Sequence, residues 1–327
     1  MVAHRLAKVF RIFFSVILLC PGWHAPAGAA TDSGSSAKAI LPAPVQISPH
    51  VYAWIGPYGG ANRDNRGFRM NMAFVVGETS VAVLDTGYTE PMAREMLKYI
   101  SAITPLPVKY AINTNSQPHR HFGNEVFRRR GASIIAQEKE ARRMAAQGEN
   151  FAMGIAGSQQ LDPGSIPIPS RPDILIAGDA SYDLGGLKIH VKSAGASHTP
   201  ASLVVHIPAD NVVYAGDILF SGRLLAILPD GDIRSWIAAF DDLKSFGDVL
   251  FVPGHGKPGK LKDFEFPTRE YLVLLHTHME KMVKEGVDLQ TAIKRLDQAR
   301  FSTLENYPEL SGRNASQAYL ESEKNSF

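Results

Sequence analysis

One short stretch, Asn113-Thr114-Asn115-Ser116-Gln117-Pro118-His119-Arg120-His121-Phe122-Gly123-Asn124, concentrates groups able to do chemistry. The imidazoles of His119 and His121 can carry a proton near neutrality or offer a lone pair to a metal. The guanidinium of Arg120 stays cationic, only donates hydrogen bonds and cannot ligate. Asn115 and Gln117 are neutral amides and weak zinc ligands. The stretch follows the apolar run Val108-Lys109-Tyr110-Ala111-Ile112, which predicts a buried strand. The helix-like Glu125-Val126-Phe127-Arg128-Arg129 comes next. Polar groups at the carboxyl end of a strand sit where open α/β layers build their sites.

The elements that position this stretch follow in a regular order. Val45 to Gly56 predicts an opening strand broken at Pro49, and Pro57 to Gly67 a glycine-rich loop. Met70 to Val76 and Ser80 to Asp85 predict a hairpin around Gly77-Glu78-Thr79. Glu90 to Thr104 carries Met92, Met96, Leu97, Ile100 and Ile103 at helical spacing and ends at Pro105. A strand over Ala132 to Gln137 and a helix over Glu138 to Gly148 come after the central stretch. Asn150 to Pro172, rich in Gly, Pro, Ser and Gln, predicts a long irregular insertion beside the site. Strands are expected at 174–176, 181–184, 187–192, 203–207, 211–214 and 249–252. Helices are expected at 233–246, 266–285 and 288–298. Strand-rich and helical stretches alternate twice, which predicts an α/β (α+β) fold with two β-sheets face to face and helices outside, an αβ/βα sandwich.

Composition narrows the function classes. The chain has 327 residues, 45% hydrophobic and 20% charged, an ordinary globular balance. A formal net charge of +2 with no dense basic run argues against nucleic acid and acidic lipid as partners. Arg128-Arg129-Arg130 is the densest patch and reads as a solvated helix end. Residues 1–30 read as a secretory signal: Arg5, Lys8 and Arg11, then the short apolar run Ile12 to Leu19, then small residues to Ala30. Eight apolar residues or so are too few to span a bilayer. Export predicts a periplasmic or secreted protein without membrane contact after signal removal. Thr31 to Pro44 reads as a flexible linker, leaving 45–327 as the folded domain. The one cysteine, Cys20, lies in the signal, so the mature chain has no disulfide, Cys ligand or Cys nucleophile. No G-x-S-x-G elbow is present, which argues against serine-triad chemistry.

The central stretch resembles the metal loop of the metallo-β-lactamase superfamily, N-T-H-x-H-x-D-H-x-x-G-N. The frame Asn113-Thr114 and Gly123-Asn124 is intact, with the same count between. Asn115 and Gln117 stand where that family has two histidines, His119 where it has aspartate, and Arg120 where it has the last histidine. Ser197-His198-Thr199-Pro200 resembles G-H-T-P-G with Ala201 for the glycine, Gly216-Asp217 the bridging aspartate, and Pro253-Gly254-His255-Gly256 the last ligand loop. Asp85 matches an aspartate that buttresses the loop. The resemblance covers roughly residues 45–260. Softer likenesses, Asn65-Arg66-Gly67 and Arg313-Asn314…Tyr319-Leu320-Glu321, point within the family to periplasmic zinc metallohydrolases of sulfur-oxidation and quinoprotein systems, and so to a periplasmic redox-system partner.

The resemblance implies a metal-dependent hydrolase of a small molecule such as an ester, thioester or amide, with a partly lost di-zinc site. Three readings of that site stay open. One zinc is held by His119, His198, Asp217 and His255; or none is held and the pocket is a fixed polar one; or His121, otherwise a capped or surface histidine, joins a two-metal site. Zero or one ion is expected rather than two. If the site is active, His119 and Asp217 are its catalytic residues. The alternative is a non-catalytic binding or accessory protein using the same pocket.

Overall fold

The structure, a computed structural model, describes residues 39–326. The expected secretory signal and the first part of the expected linker lie outside the described residues. A first sheet runs in chain order through β1 (Val45–Gln46), β2 (Val51–Trp54), β3 (Met72–Val76), β4 (Val81–Leu84), β5 (Val108–Ile112), β6 (Ser133–Gln137) and β7 (Ile174–Ile176). β1 to β4 pair antiparallel, and β4 to β7 pair parallel. The second sheet holds β8 (Ala180–Asp183), β9 (Lys188–Gly195), β10 (Ser202–Ile207), β11 (Val212–Phe220) and β12 (Leu250–His255), parallel only between β11 and β12.

Helices cover both outer faces. α1 (Glu90–Ile103), α2 (Pro118–His121), α3 (Asn124–Arg128) and α4 (Glu138–Gln159) belong to the first half; α5 (Ile233–Asp242), α6 (Tyr271–Lys284), α7 (Leu289–Arg295) and α8 (Tyr307–Lys324) belong to the second. The two-residue period of the strands divides the core. Ala73, Val75, Ala82 and Leu84 face inward, in one cluster with Leu203, Val205 and Ile207 of the other sheet. Met72, Phe74, Val81 and Val83 face outward onto Met92, Met96 and Ile100 of α1. β4 is therefore buried on both faces and reads as a continuous apolar run. The expected sandwich of two mixed sheets with helices outside is the fold observed.

α1 starts where Thr89 accepts a hydrogen bond from Met92 N, with Pro91 in its first turn. Each large apolar side chain on its buried face contributes about 1.5–3 kcal/mol. Two expectations change, and one element is added. Residues 40–42 are tied down, not loose: Ile40 N and Leu41 N donate to Glu95 Oε2, and Trp54 Nε1 donates to the Pro42 carbonyl. The irregular insertion begins only after Gln159, because α4 runs on and buries Ala152, Ile155 and Ala156. The tail from Tyr307 is a further helix, α8, whose Asn314, Ala315, Ala318 and Tyr319 are buried. Among the described residues no helix is long and apolar enough to cross a membrane.

Candidate metal centre

The central stretch is held by its frame. Asn113 Nδ2 donates to Asn124 Oδ1 at 3.0 Å and Asn124 Nδ2 donates back to Asn113 Oδ1 at 2.9 Å. Thr86 Oγ1 also donates to Asn124 Oδ1. A side chain at Gly123 would collide with the Thr86 carbonyl, so the loop closes only on glycine. Asp85, with φ of 63°, leaves β4 in the left-handed region and aims its carboxylate at the loop. It accepts from Thr114 N, Thr114 Oγ1 and the Tyr214 hydroxyl. Burial pushes the Asp85 carboxyl up to about 6, against the pull of Arg120, Thr114 and Tyr214.

Arg120 lies at the centre, wholly buried. Its Nη2 meets Asp217 Oδ1 at 2.5 Å and its Nε meets Asp217 Oδ2 at 3.0 Å, a two-point fork. Its Nη1 donates to the Asn71 carbonyl at 2.7 Å and to Asp85 Oδ2 at 3.1 Å. One guanidinium therefore joins the end of the first sheet, through Asp85, to β11 of the second, through Asp217. Gly254 makes the room: a side chain there would strike Asp217 Oδ1 and Arg120 Nη2. Burial alone would raise the Asp217 carboxyl, but the Arg120 guanidinium holds it well below the usual carboxylate range. Burial works against the Arg120 charge, and Asp217, Tyr214 and Asp85 more than offset it.

His119, Asp217 and His255 come together beside this fork, all buried, with one donor atom from each lying within 4.8 Å of the others. His119 Nε2 is 3.5 Å from Asp217 Oδ2, and His255 Nε2 is 3.4 Å from Asp217 Oδ1. Zinc bonds of about 2.0–2.2 Å in a tetrahedron give ligand-to-ligand edges of about 3.3–3.6 Å, and each of these two spacings, made to a different Asp217 oxygen, is of that size. His255 Nδ1 lies 2.9 Å from the Arg69 carbonyl, which can only accept. Its proton is therefore assigned to Nδ1, and Nε2 turns a lone pair toward an anionic oxygen. Neither ring nitrogen of His119 has a hydrogen-bond partner. Burial holds the His119 imidazole well below its ordinary value, with Arg120 adding to it, and burial brings His255 down to about 3. Two imidazoles held neutral by burial stand beside one carboxylate, a donor set that a cation would fit. The three residues form a candidate metal site.

The remaining expected residues fall outside it. His198 does not join the group of three: its ring lies against Trp236, with centroids 5.2 Å apart, and near Phe220 at 5.9 Å. Of the four expected ligands three are thus brought together, and His198 lies outside that group, packed toward α5, with its Nδ1 buried and without a hydrogen-bond partner among the described residues. His121 is buried rather than on the surface, turned away with Nδ1 on the Gln117 carbonyl at 3.0 Å and its ring edge toward Phe151. Asn115 donates from Nδ2 to Asp217 Oδ2 at 2.8 Å and accepts from Gln117 N, so it serves as a hydrogen-bond partner of the carboxylate. Gln117 is half-buried at the start of α2. Arg128 and Arg129 are engaged in ion pairs, with Asp173 and Glu90 respectively. A cleft of about 730 Å³ beside the loop, lined by Arg63, Thr89, Phe122 and Leu161 among others, contains none of the three. The site is assigned by its donor chemistry, not by hollow volume.

Glu140 has no signal in the sequence beyond its place at a helix start. It is wholly buried and joins two site loops: Oε2 accepts from Ser116 N at 2.8 Å and from the Ser116 hydroxyl, and Oε1 accepts from Ala201 N at 2.6 Å. Glu140→Ala strands those donors and is expected to cost about 2–3 kcal/mol in denaturant unfolding. A loss under about 0.5 kcal/mol would mean that water replaces the carboxylate.

Residues 66–255, more than half of the chain, match the family described as the Metallo-beta-lactamase superfamily. The chain is 21% identical over 253 residues to a linear primary-alkylsulfatase of Pseudomonas sp., covering 65% of this chain and 47% of that protein. It is 24% identical over 196 residues to the 2,4-dinitroanisole O-demethylase subunit alpha of Nocardioides sp., covering 58% and 54%. A metallo-beta-lactamase type 2 of Bacteroides fragilis is 26% identical over 98 residues, covering 29% and 38%. The chain thus spans about half the length, or less, of the curated relatives it matches. Among solved structures, a metallo-beta-lactamase from Pontibacter korlensis has a TM-score of 0.56 at 22% identity, covering 70% of this chain and 98% of that one. That likeness concerns the fold.

Proposed function

As the chain belongs to the metallo-beta-lactamase superfamily, we propose that it is a hydrolase working with one zinc ion, held by His119, Asp217 and His255, on an ester, thioester or amide-like small molecule. The observation that carries this reading is the convergence of two buried imidazoles on Asp217, His119 at 3.5 Å and His255 at 3.4 Å. Three protein ligands with a further position for water is the pattern of catalytic zinc. Zinc at such a site brings the pKa of its water near neutrality and polarises a carbonyl oxygen. The chain's own residues do the rest. Arg69's carbonyl holds the His255 tautomer, and Asn115 and Arg120 orient the Asp217 carboxylate. His119 leaves Nδ1 without a partner, free to hold a proton or to position water. Asn115, Gln117 and Arg120 in place of family histidines support one ion instead of two, with the Arg120 guanidinium supplying the second positive charge.

The pattern of residues 1–30 supports export, and hence a periplasmic or secreted protein with no membrane contact after processing. The Asn65-Arg66-Gly67 and Arg313-Asn314 likenesses support the branch linked to sulfur-oxidation and quinoprotein systems, with a redox-system protein as partner. A second reading, a non-catalytic binding or accessory protein, is favoured by one observation: the Asp217 carboxylate already receives Arg120 and Asn115. Elemental analysis of protein purified without chelator decides between them. One zinc per chain is expected; two tightly bound ions contradict the single-ion site, and none, with no turnover, establishes the binding protein.

A further inference from the structure

Three guanidiniums stand near the triad, and among the described residues only Arg120 of the three is in ion-pair contact with a carboxylate, Glu309 and Asp217 acting on Arg223 from farther off. Arg120 uses its donors on Asp217, Asp85 and backbone carbonyls. No carboxylate pairs with Arg69 or Arg223 among the described residues. Arg223 is 4% exposed, and its Nε reaches only the Leu224 carbonyl, at 3.3 Å. Its Nη1 lies 3.4 Å from His255 Nδ1, whose proton already goes to the Arg69 carbonyl. That approach sets two donors against each other and is not a bond. Arg69 Nε is buried without a hydrogen-bond partner. The two charges flank the triad: Arg69 is felt at His119 and at Arg223, and Arg223 at His255. The nearby Asp217 is already forked by Arg120. Beside Arg223, Gly222 leaves room for the Tyr58 ring, which a side chain there would displace.

Cations taken out of water without a counter-charge are costly, and a planar guanidinium matches an oxyanion through two parallel N–H groups. We propose that Arg69 and Arg223 form an oxyanion-binding subsite beside His255, which takes the carboxylate, sulfate or phosphate group of the substrate. The substrate of the site is then an anion, held by that group with its scissile bond toward His119, Asp217 and His255. The word substrate rests on the hydrolase reading; the anion site itself does not.

The test uses the full chain, stripped of metal, in thermal unfolding at fixed ionic strength with sodium chloride exchanged for sulfate, inorganic phosphate or acetate. At least one of the three is expected to raise the midpoint saturably, and which one identifies the group. Arg69→Gln and Arg223→Gln each weaken that effect by about tenfold or more. If Arg223→Gln does not fold, Arg223→Lys keeps the charge, loses the fork and is expected to bind more weakly. No saturable shift with any anion, or shifts unchanged in the Arg69 and Arg223 variants, overturns the subsite. Zinc content is measured on the same preparations before stripping. Zinc without an anion effect sinks the subsite alone; an anion effect without zinc sinks the single-metal reading and leaves the subsite standing.

Discussion

Arg120→Ala is expected to lower folding stability by about 3–5 kcal/mol at neutral pH, measured by denaturant unfolding. The side chain is wholly buried and is the shared ion-pair partner of two buried carboxylates, so its removal leaves both with neutral hydrogen-bond donors but no paired cation. The loss depends on pH with a definite sign. Asp217 has a depressed folded-state pKa, so its contribution is present above the ordinary carboxylate value and is lost as pH falls through the folded value. Asp85 is raised from 3.8 to about 6, so it works the other way: stability from that group falls as pH rises through that window. Without Arg120 both carboxyls move upward. The variant is therefore expected to recover stability on acidification from pH about 7.5 to about 5. Arg120→Lys, which keeps the charge and loses the fork, is expected to fall between the two. A variant within about 1 kcal/mol of the parent at neutral pH would show that the guanidinium is not what holds the two sheets' carboxylates together.

His255→Ala is expected to weaken zinc affinity by about a hundredfold or more and to remove turnover with it. A site of three protein ligands has none to spare, and the metal needs nearly its full set. His198→Ala provides the contrast. Its imidazole lies against Trp236 and Phe220 outside the group of three, so the variant is expected to lose packing, about 1–3 kcal/mol, while zinc affinity stays within about tenfold. Competition with a chromophoric chelator, read beside thermal unfolding, separates the two effects. Equal loss of zinc in both variants would restore His198 to the ligand set.

Much of the architecture is legible in the chain because its periodicity is set by burial. Ala73/Val75 and Met72/Phe74 alternate since the two faces of β3 meet different layers. The frame of the central loop is legible for a related reason. Asn113, Thr114, Gly123 and Asn124 do the folding work of the loop, through reciprocal amide bonds and a close approach only glycine allows. Their spacing therefore persists beside changed ligand positions. α4 beyond Gly148 was illegible because Gly148, Gly154 and Gly157, with Asn150 and Ser158, lower helix propensity, while the buried stripe of Ala152, Ile155 and Ala156 overrides it.

The sequence alone determined the sandwich, the loop that carries the site, and the presence of a cation among the candidate ligand positions. Only the tertiary structure decided where each group points. His198 and His255 are motif residues of the same type, yet one ring is taken by Trp236 and the other turns Nε2 to Asp217. Arg120 reads as a repulsive intruder in the chain and is, in the fold, the fork that ties Asp217 to Asp85. The reason is physical: residue type specifies charge and donor capacity, whereas coordination and pairing depend on distances of a few ångströms that arise only when β4, β11 and β12 converge.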